Sequence, residues 1–443
     1  MDPTQTIAGT TAEQVADSVE HAVETGQLRG GQQLPPIRTL AATLDLADGT
    51  VARAYARLRD RGVVVTQGRR GTRVRERSIV TPRQHLGLAI PADAIDLSRG
   101  NPDPALLPDL ASHLAAAASA AGLYGEDPMP HVHAGLAEVV RTRAATTGIP
   151  TDHLTIVSGA LDGIERALAV HLRPGDAVAI EDPGWPNLMD LVAALGLRPV
   201  PMALDEQGPT VDAVVGVRDR VDAIVVTSRA QNPTGAALTP RRRDQVAVAL
   251  EGWDGLVIED DHGGEASGVP LSPLAGHGAH WVIVQSLSKS WGPDLRVAAM
   301  FGDATTVDHV AGRLRLGPGW VSRLLQHTAW SLLVDPDAGA TVADAARELT
   351  RRRSLLREAL ERHGIAARGH SGLNVWIPVA DETVVVAGLL GRGWGVAPGA
   401  RYRLDSAPGI RVTAAAVTDA AMATSFAADL ATVVAEPGGA PVV

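Results

Sequence analysis

The chain has 443 residues and a formal net charge of −10 at pH 7, a length that suggests about three domains, or two unequal ones. It contains no cysteine, which excludes a disulfide scaffold, zinc fingers, iron–sulfur ligation and thiol nucleophiles. No apolar run is long enough to span a bilayer, and no basic segment followed by an apolar run opens the chain, so a cytoplasmic protein is expected.

Residues 11–75 stand apart from the rest. Residues 12–25 read as an amphipathic helix, with Val15, Val19 and Val23 at four-residue steps and Gly26 as its end. Pro35 and Pro36 introduce a short helix over Ile37–Leu44. After a turn at Asp45–Gly49, a further helix is expected over Thr50–Arg61, with Val51, Tyr55 and Leu58 on one face and Gly62 as its stop. Val63–Thr66 and Thr72–Arg75 read as two strands around Gln67–Gly71. Helix, helix, turn, helix and hairpin make a winged helix-turn-helix. The overall acidity hides a basic stretch here: nine Arg and two acids lie between Thr50 and Arg77, a local net charge of +7. A charge run is commonly just a solvated helix face. On this arrangement of elements it also suits a nucleic-acid surface. Residues 76–95 read as a linker.

From Asp96 onward the pattern alternates strand and helix. Short apolar runs recur at Leu154–Val157, Ala177–Ile180, Ala223–Val226, Leu256–Ile258, Val282–Val284 and Val297–Met300. Val and Ile without polar alternation predict strands buried on both faces of a mostly parallel sheet. Ligands of such sheets sit at the carboxyl ends of the strands. Ser158-Gly159-Ala160 follows the first run, at the start of a helix, and EDPGWPN with Trp185 follows the second. TSRAQNPTG with Asn232 follows the third, and Glu259-Asp260-Asp261-His262 the fourth. QSLSKS follows the fifth, with Arg296 seven residues after Lys289. Lys289 is the one lysine among 40 basic residues. In so Arg-rich a chain, a retained lysine points to a task that needs an amine whose pKa burial can lower, unless it survived by chance. An amine, a carboxylate, an amide, hydroxyls and a guanidinium at one sheet edge fit pyridoxal 5'-phosphate. The lysine forms the Schiff base, the carboxylate keeps the pyridine nitrogen protonated, and hydroxyls, amides and Arg hold the phosphate. Plainer readings stand beside these: Trp185 as a packing aromatic, Asp260 as a helix cap, Arg411 as a surface ion pair.

Residues 97–430 resemble a fold-type I aminotransferase, on the motifs NPTG and SLSKS with its later Arg. The resemblance implies that Lys289 holds the cofactor as an aldimine and that Lys289 and Asp260 are the catalytic pair, Asp260 facing the pyridine nitrogen. It implies that Asn232 bonds the ring hydroxyl, that Trp185 stacks on the ring, and that Gly159, Ala160, Ser286, Ser288 and Arg296 cradle the phosphate. Arg411, in GIRV, would clamp a substrate carboxylate. Tyr124, in LYGEDP, would reach the phosphate of a neighbouring subunit, which implies a homodimer. Two departures stand out. His262 takes the place of the usual Tyr beside the ring hydroxyl, and Pro130 replaces a usual Gly in the Tyr124 turn.

The N-terminal segment resembles the DNA-binding domain of GntR-type bacterial regulators, on LPPIRTLAATLDL, TVARAYARLRDRG and GRRGTRV. This implies DNA contacts from Arg38, Thr50 and Arg53, and from Arg69, Arg70 and Thr72 of the wing. Asp48 stands where the family often has Arg, so phosphate contacts would lean on the wing. The two parts together resemble the MocR branch of those regulators. The implied architecture is α/β: a winged helix-turn-helix over residues 1–75, a linker over 76–95, and a fold-type I PLP domain over 96–443. A small C-terminal α/β subdomain is expected over about 335–435. The expected partners are a double-stranded DNA operator, a second copy of the chain and a small amine or amino-acid effector, with no metal and no membrane. Three functions remain open: a regulator that senses through PLP, a working aminotransferase with an accessory DNA-binding head, and a DNA-binding protein whose large domain only dimerises.

Overall fold

The computed structural model describes residues 6–25, 27–60, 63–66, 71–74, 83, 89–120 and 131–435. The chain divides into two compact units, Met1–Val80 and Thr81–Val443.

In the first unit, α1 (Ala12–Glu24) opens where the Thr11 hydroxyl accepts the Gln14 amide N–H, a side-chain cap. α2 (Ile37–Leu44) starts after Pro36 and ends at Asp45, which takes a left-handed conformation at φ +54°. α3 (Asp48–Asp60) begins two residues before the expected Thr50. Asp48 therefore lies inside its first turn, where an acid complements the positive helix end. β1 (Val64–Thr66) and β2 (Thr72–Val74) pair antiparallel. Val15, Val19, Leu40, Val51, Tyr55 and Leu58 fill a core belonging to this unit. The Tyr55 hydroxyl donates to the Pro35 carbonyl at 2.8 Å, which ties α3 to the loop before α2. Gly26, Arg61, Gly62, Arg69 and Arg70 lie outside the described residues.

The second unit opens with β3 (Ile95–Asp96), α4 (Ala111–Ser119) and α5 (Ala134–Ala145). Strands and helices then alternate: β4 (Leu154–Val157), α6 (Ala160–His171), β5 (Ala177–Asp182), α7 (Pro186–Ala194), β6 (Arg198–Asp205) and β7 (Gly208–Pro209). α8 (Val211–Arg218), β8 (Ala223–Thr227), α9 (Pro240–Ala249), β9 (Leu256–Asp261), β10 (His280–Ser286) and β11 (Ala298–Gly302) complete the main layer. The sheet order is β4-β11-β10-β9-β8-β5-β6-β7. Its centre is parallel, from β10 through β9, β8 and β5 to β6. β11 runs antiparallel to both of its neighbours. Alternate side chains serve two cores, as the pleat requires. Val257 of β9 joins Leu136 and Val140 of α5 on one face, while Leu256 and Ile258 join Ile164 and Leu168 of α6 on the other.

After α10 (Ala304–Leu316) and α11 (Arg323–Val334), the long α12 (Pro336–Arg362) leads into a smaller lobe. That lobe holds β12 (Asn374–Pro378), α13 (Glu382–Leu390), β13 (Trp394–Gly395), β14 (Ala397–Pro398), β15 (Gly409–Thr413) and α14 (Ala420–Ala435). β12, β15 and β14 form an antiparallel sheet. Leu356, Leu360, Val375, Ile377, Phe426 and Leu430 pack as its core. β3 pairs parallel with β13, Ile95 opposite Trp394. Ile95, read from sequence as the last linker residue, is thus already part of a strand, because its backbone bonds are satisfied by the small lobe. Among the described residues, no helix is long and apolar enough to cross a membrane.

Candidate cofactor cavity and nucleic-acid face

A cavity of about 280 Å³ opens where β4, β5, β8, β9 and β10 release their chains into loops, with Lys289 on its wall. Lys289 Nζ donates to the Gly100 carbonyl at 3.0 Å and to Asn101 Oδ1 at 3.2 Å. Burial, and then the nearby Arg411 guanidinium, push its pKa down from 10.5 to about 8. An amine so placed keeps a sizeable unprotonated, nucleophilic fraction near neutrality.

Asp260 sits buried at the end of β9. Its Oδ2 accepts a hydrogen bond from His262 Nδ1 at 2.8 Å. Its Oδ1 is buried without a partner among the described residues. Burial opposes charge on the His262 imidazole, but the Asp260 carboxylate outweighs it and the pKa is raised. The sequence reading set His262 beside the ring hydroxyl in place of a Tyr. His262 lies just past the end of β9, and its Nδ1 reaches back to Asp260, two residues earlier. Trp185, the residue before α7, stacks near the His262 ring at 6.0 Å and 27°.

The opposite wall concentrates groups suited to an anion. Ala160 opens α6, whose first amides are unpaired and whose dipole favours negative charge. Gly159 precedes it at φ +99°, and a Cβ there would lie 2.8 Å from Arg296 Nη2. Arg296 is itself left-handed, at φ +48°, and its Nη2 donates to the Ser158 carbonyl at 2.8 Å. Such a conformation costs energy for a residue with a side chain. Ser286 Oγ accepts from the Ser288 amide at 3.3 Å, and Ser288 Oγ is buried with no partner among the described residues.

Asn232 also lines the cavity. Its Oδ1 accepts from Arg411 Nη1 at 3.0 Å. Arg411 Nη2 donates to the Ser98 carbonyl, and its guanidinium lies over the Tyr402 ring at 4.9 Å. The structure thus brings together Lys289, Asn232, His262, Trp185, Ala160, Ser286, Ser288 and Arg296 around one cavity, with Asp260, Gly159 and Arg411 immediately behind it. Tyr124 and Pro130 lie outside the described residues. Gly100 and Asn101, which hold Lys289, were not expected from sequence. Their signal was the Gly-Asn-Pro run at 100–102, punctuation that marks a loop but not what the loop holds. Gly372, Leu373 and Asn374 bring the small lobe to the same cavity.

On the first unit, Arg38 and Arg53 are exposed and Thr50 is half-buried. Arg53 Nη2 reaches Thr50 Oγ1 at 3.5 Å. Arg38 Nε lies 3.8 Å from Asp48 Oδ2. Thr72 Oγ1 and Thr66 Oγ1 stand 3.3 Å apart across the wing strands. Arg38, Thr50 and Arg53 therefore share the α2–α3 region, as a helix-turn-helix requires.

A winged helix in one unit, and in the other an aminotransferase-type sheet with a lysine at its carboxyl edge, define a transcription regulator built on an aminotransferase scaffold. The family described as "Bacterial regulatory proteins, gntR family" matches residues 11–74, and "Aminotransferase class I and II" matches residues 92–428. The vitamin B6 salvage pathway transcriptional repressor PtsJ of Salmonella typhimurium is 35% identical over 431 residues, 96% of this chain and 98% of that one. The HTH-type transcriptional regulator TauR of Rhodobacter capsulatus is 29% identical, covering 82% of each chain. Among solved structures, the kynurenine aminotransferase of Pyrococcus horikoshii matches with a TM-score of 0.69 at 20% identity, covering 77% of this chain and 91% of that one; this likeness concerns the fold. The chain belongs to the MocR-type regulators of the GntR family.

Proposed function

We propose that this regulator binds pyridoxal 5'-phosphate on Lys289 and uses it to sense the cofactor itself, or an amine or amino acid that competes for it. The observation that carries this reading is Lys289: the one lysine of the chain lies in the cavity, with its pKa lowered to about 8. The surrounding groups fit the cofactor. Asp260 Oδ1 and Ser288 Oγ are buried polar atoms without partners among the described residues, and each costs free energy unless a ligand satisfies it. Asp260 suits a protonated ring nitrogen. The Asn232 amide nitrogen is left to donate to a ring oxygen, since its oxygen is taken by Arg411. Arg296, Ser286, Ser288 and the α6 amides suit a phosphate. The cofactor supplies an aldehyde that exchanges reversibly between lysine and free amines. The name of the PtsJ relative, a repressor of vitamin B6 salvage, supports a link to B6 supply.

The proposal includes a homodimer acting on a double-stranded DNA operator of two half-sites. Ligand binding shifts a two-state equilibrium of the dimer and so the spacing of its heads. Mixing purified protein with the cofactor should produce a visible absorbance band that Lys289→Ala abolishes. A band that persists in the variant overturns the assignment. DNA fragments selected by the loaded protein, with and without cofactor, should differ in yield or sequence. Turnover of amino acid with keto acid at roughly 1 per second or faster would favour an enzyme with an accessory DNA-binding head.

A further inference from the structure

A second cavity lies behind the first. It measures about 260 Å³ and is lined by α5, the sheet and the turn at Gly264–Ser267. Leu136, Val140 and Arg143 enter it from one face of α5, at four- and three-residue steps. Ile156, Val297 and Leu333 extend the apolar wall. The inner polar groups are already matched. Arg229 grips Asp261 through two bonds, at 2.8 and 3.0 Å, and Gln285 Nε2 donates to the same carboxylate at 3.2 Å.

The rim differs from the interior. Arg143 pairs with Glu265, and both side chains keep contact with solvent, at 44% and 33% exposure. The Arg143 guanidinium also lies over the Trp291 ring at 5.6 Å. A cation and an anion thus stand side by side above an apolar pocket. This is the complement of a zwitterion with an apolar tail. A carboxylate fits Arg143, an ammonium fits Glu265, and an aliphatic side chain fits the Leu136–Val140 wall. An acid without the amine meets repulsion from Glu265. An amine without the acid meets repulsion from Arg143. The volume lies below the range of drug-sized sites and suits a ligand of amino-acid size.

We infer that this cavity binds a free aliphatic α-amino acid as a second, non-covalent effector. Its regulatory meaning rests on the reading of Lys289 above, but its binding does not. Ser286 lines both cavities and lies three residues before Lys289, which places a ligand here beside the Lys289 segment.

The test is calorimetry on the full-length protein without added cofactor, with leucine, 4-methylpentanoate and 3-methylbutylamine, so that amine exchange at Lys289 does not contribute. Leucine should bind, and the two singly charged analogues should bind at least about tenfold more weakly, a difference of about 1.4 kcal/mol. Arg143→Gln and Glu265→Gln should each weaken leucine by a similar factor. Lys289→Ala should leave leucine binding intact while abolishing the visible band. Leucine binding that vanishes in Lys289→Ala places the ligand in the cofactor cavity and overturns the inference. So does binding of the amine or the acid as tight as that of leucine. A missing visible band with intact leucine binding sinks the cofactor reading and leaves this one standing.

Discussion

At the scale of single residues, Lys289 sets two expectations. Its pKa is lowered to about 8 in the fold, so the reactive amine population rises as pH rises through that value. The rate at which the visible band forms should follow the same midpoint, read by stopped-flow absorbance over a pH series. The same shift carries a stability consequence with a definite sign. The folded state disfavours the protonated amine, so the penalty is full below about 8 and is relieved between that value and 10.5. Lys289→Met should therefore raise the melting temperature of the cofactor-free protein at neutral pH, and the gain should shrink in alkali. His262 works in the opposite sense. Its raised pKa means that its bond to Asp260 stabilises fully below the ordinary 6.5, and the charged part of that contribution is lost as pH rises through the folded value. His262→Phe should destabilise the cofactor-free protein on the order of 2 kcal/mol in mild acid, less in alkali, by urea denaturation. An equal loss at both ends of the pH range would show that the imidazole is not charged against Asp260.

At the scale of elements, β9 shows where sequence reading stops. The apolar run Leu256–Ile258 marked a buried strand, and the acids that follow read as lying beyond it, at the carboxyl edge of the sheet. The strand continues through Asp261, and all six of its residues are buried. Glu259 holds on because Ser228 Oγ donates to its Oε1 at 2.5 Å, while the Leu274 and Ala275 amides donate to its Oε2 at 2.9 and 3.0 Å. Those partners lie far off in sequence, so no local pattern announces them. The antiparallel course of β11 was hidden for a related reason. Val and Ile runs report burial on both faces but not direction. Motif residues fared differently: Asn232 and Lys289 lie in the loops after β8 and β10, Arg296 just before β11, and all three line one cavity, because loops at the edge of the sheet are legible from where apolar runs start and stop. The cost of Glu259 is measurable. Burial pushes its pKa up to about 7, against the bonds that lower it. Its ionised form is thus disfavoured above that value, and the fold gains stability from it as pH falls from about 7 toward 4.5. Glu259→Gln keeps an acceptor for the two amides and should flatten that pH dependence with little net loss. Glu259→Leu takes the acceptor from the Ser228 hydroxyl and from the Leu274 and Ala275 amides and should cost on the order of 3 kcal/mol in chemical denaturation.

At the scale of the whole molecule, the distribution of charge matters more than its sum. A chain at −10 carries a stretch at +7 between Thr50 and Arg77, so the DNA-binding unit sits within a protein that otherwise repels phosphate. Binding through such a surface releases counterions and falls steeply with salt. Asp48 tempers this on the recognition side. It lies 3.8 Å from Arg38, and both are largely exposed, at 61% and 93%. A surface pair of this kind adds little to stability, but on DNA it holds a cation against an anion where a phosphate could stand. Asp48→Asn should leave the melting temperature nearly unchanged, tighten DNA binding severalfold at low salt, and steepen the log–log salt slope by up to about one unit. Arg53→Ala should do the reverse and weaken binding. If Arg53 touches phosphate, the loss should be uniform across sequences and the slope shallower. If it reads a base edge, discrimination at one operator position should relax with the slope unchanged. Fluorescence anisotropy on selected and scrambled operators across a salt series separates these outcomes. An Asp48→Asn protein that binds DNA no better than the original would mean that Arg38 takes no part in phosphate contact and that the wing carries it instead.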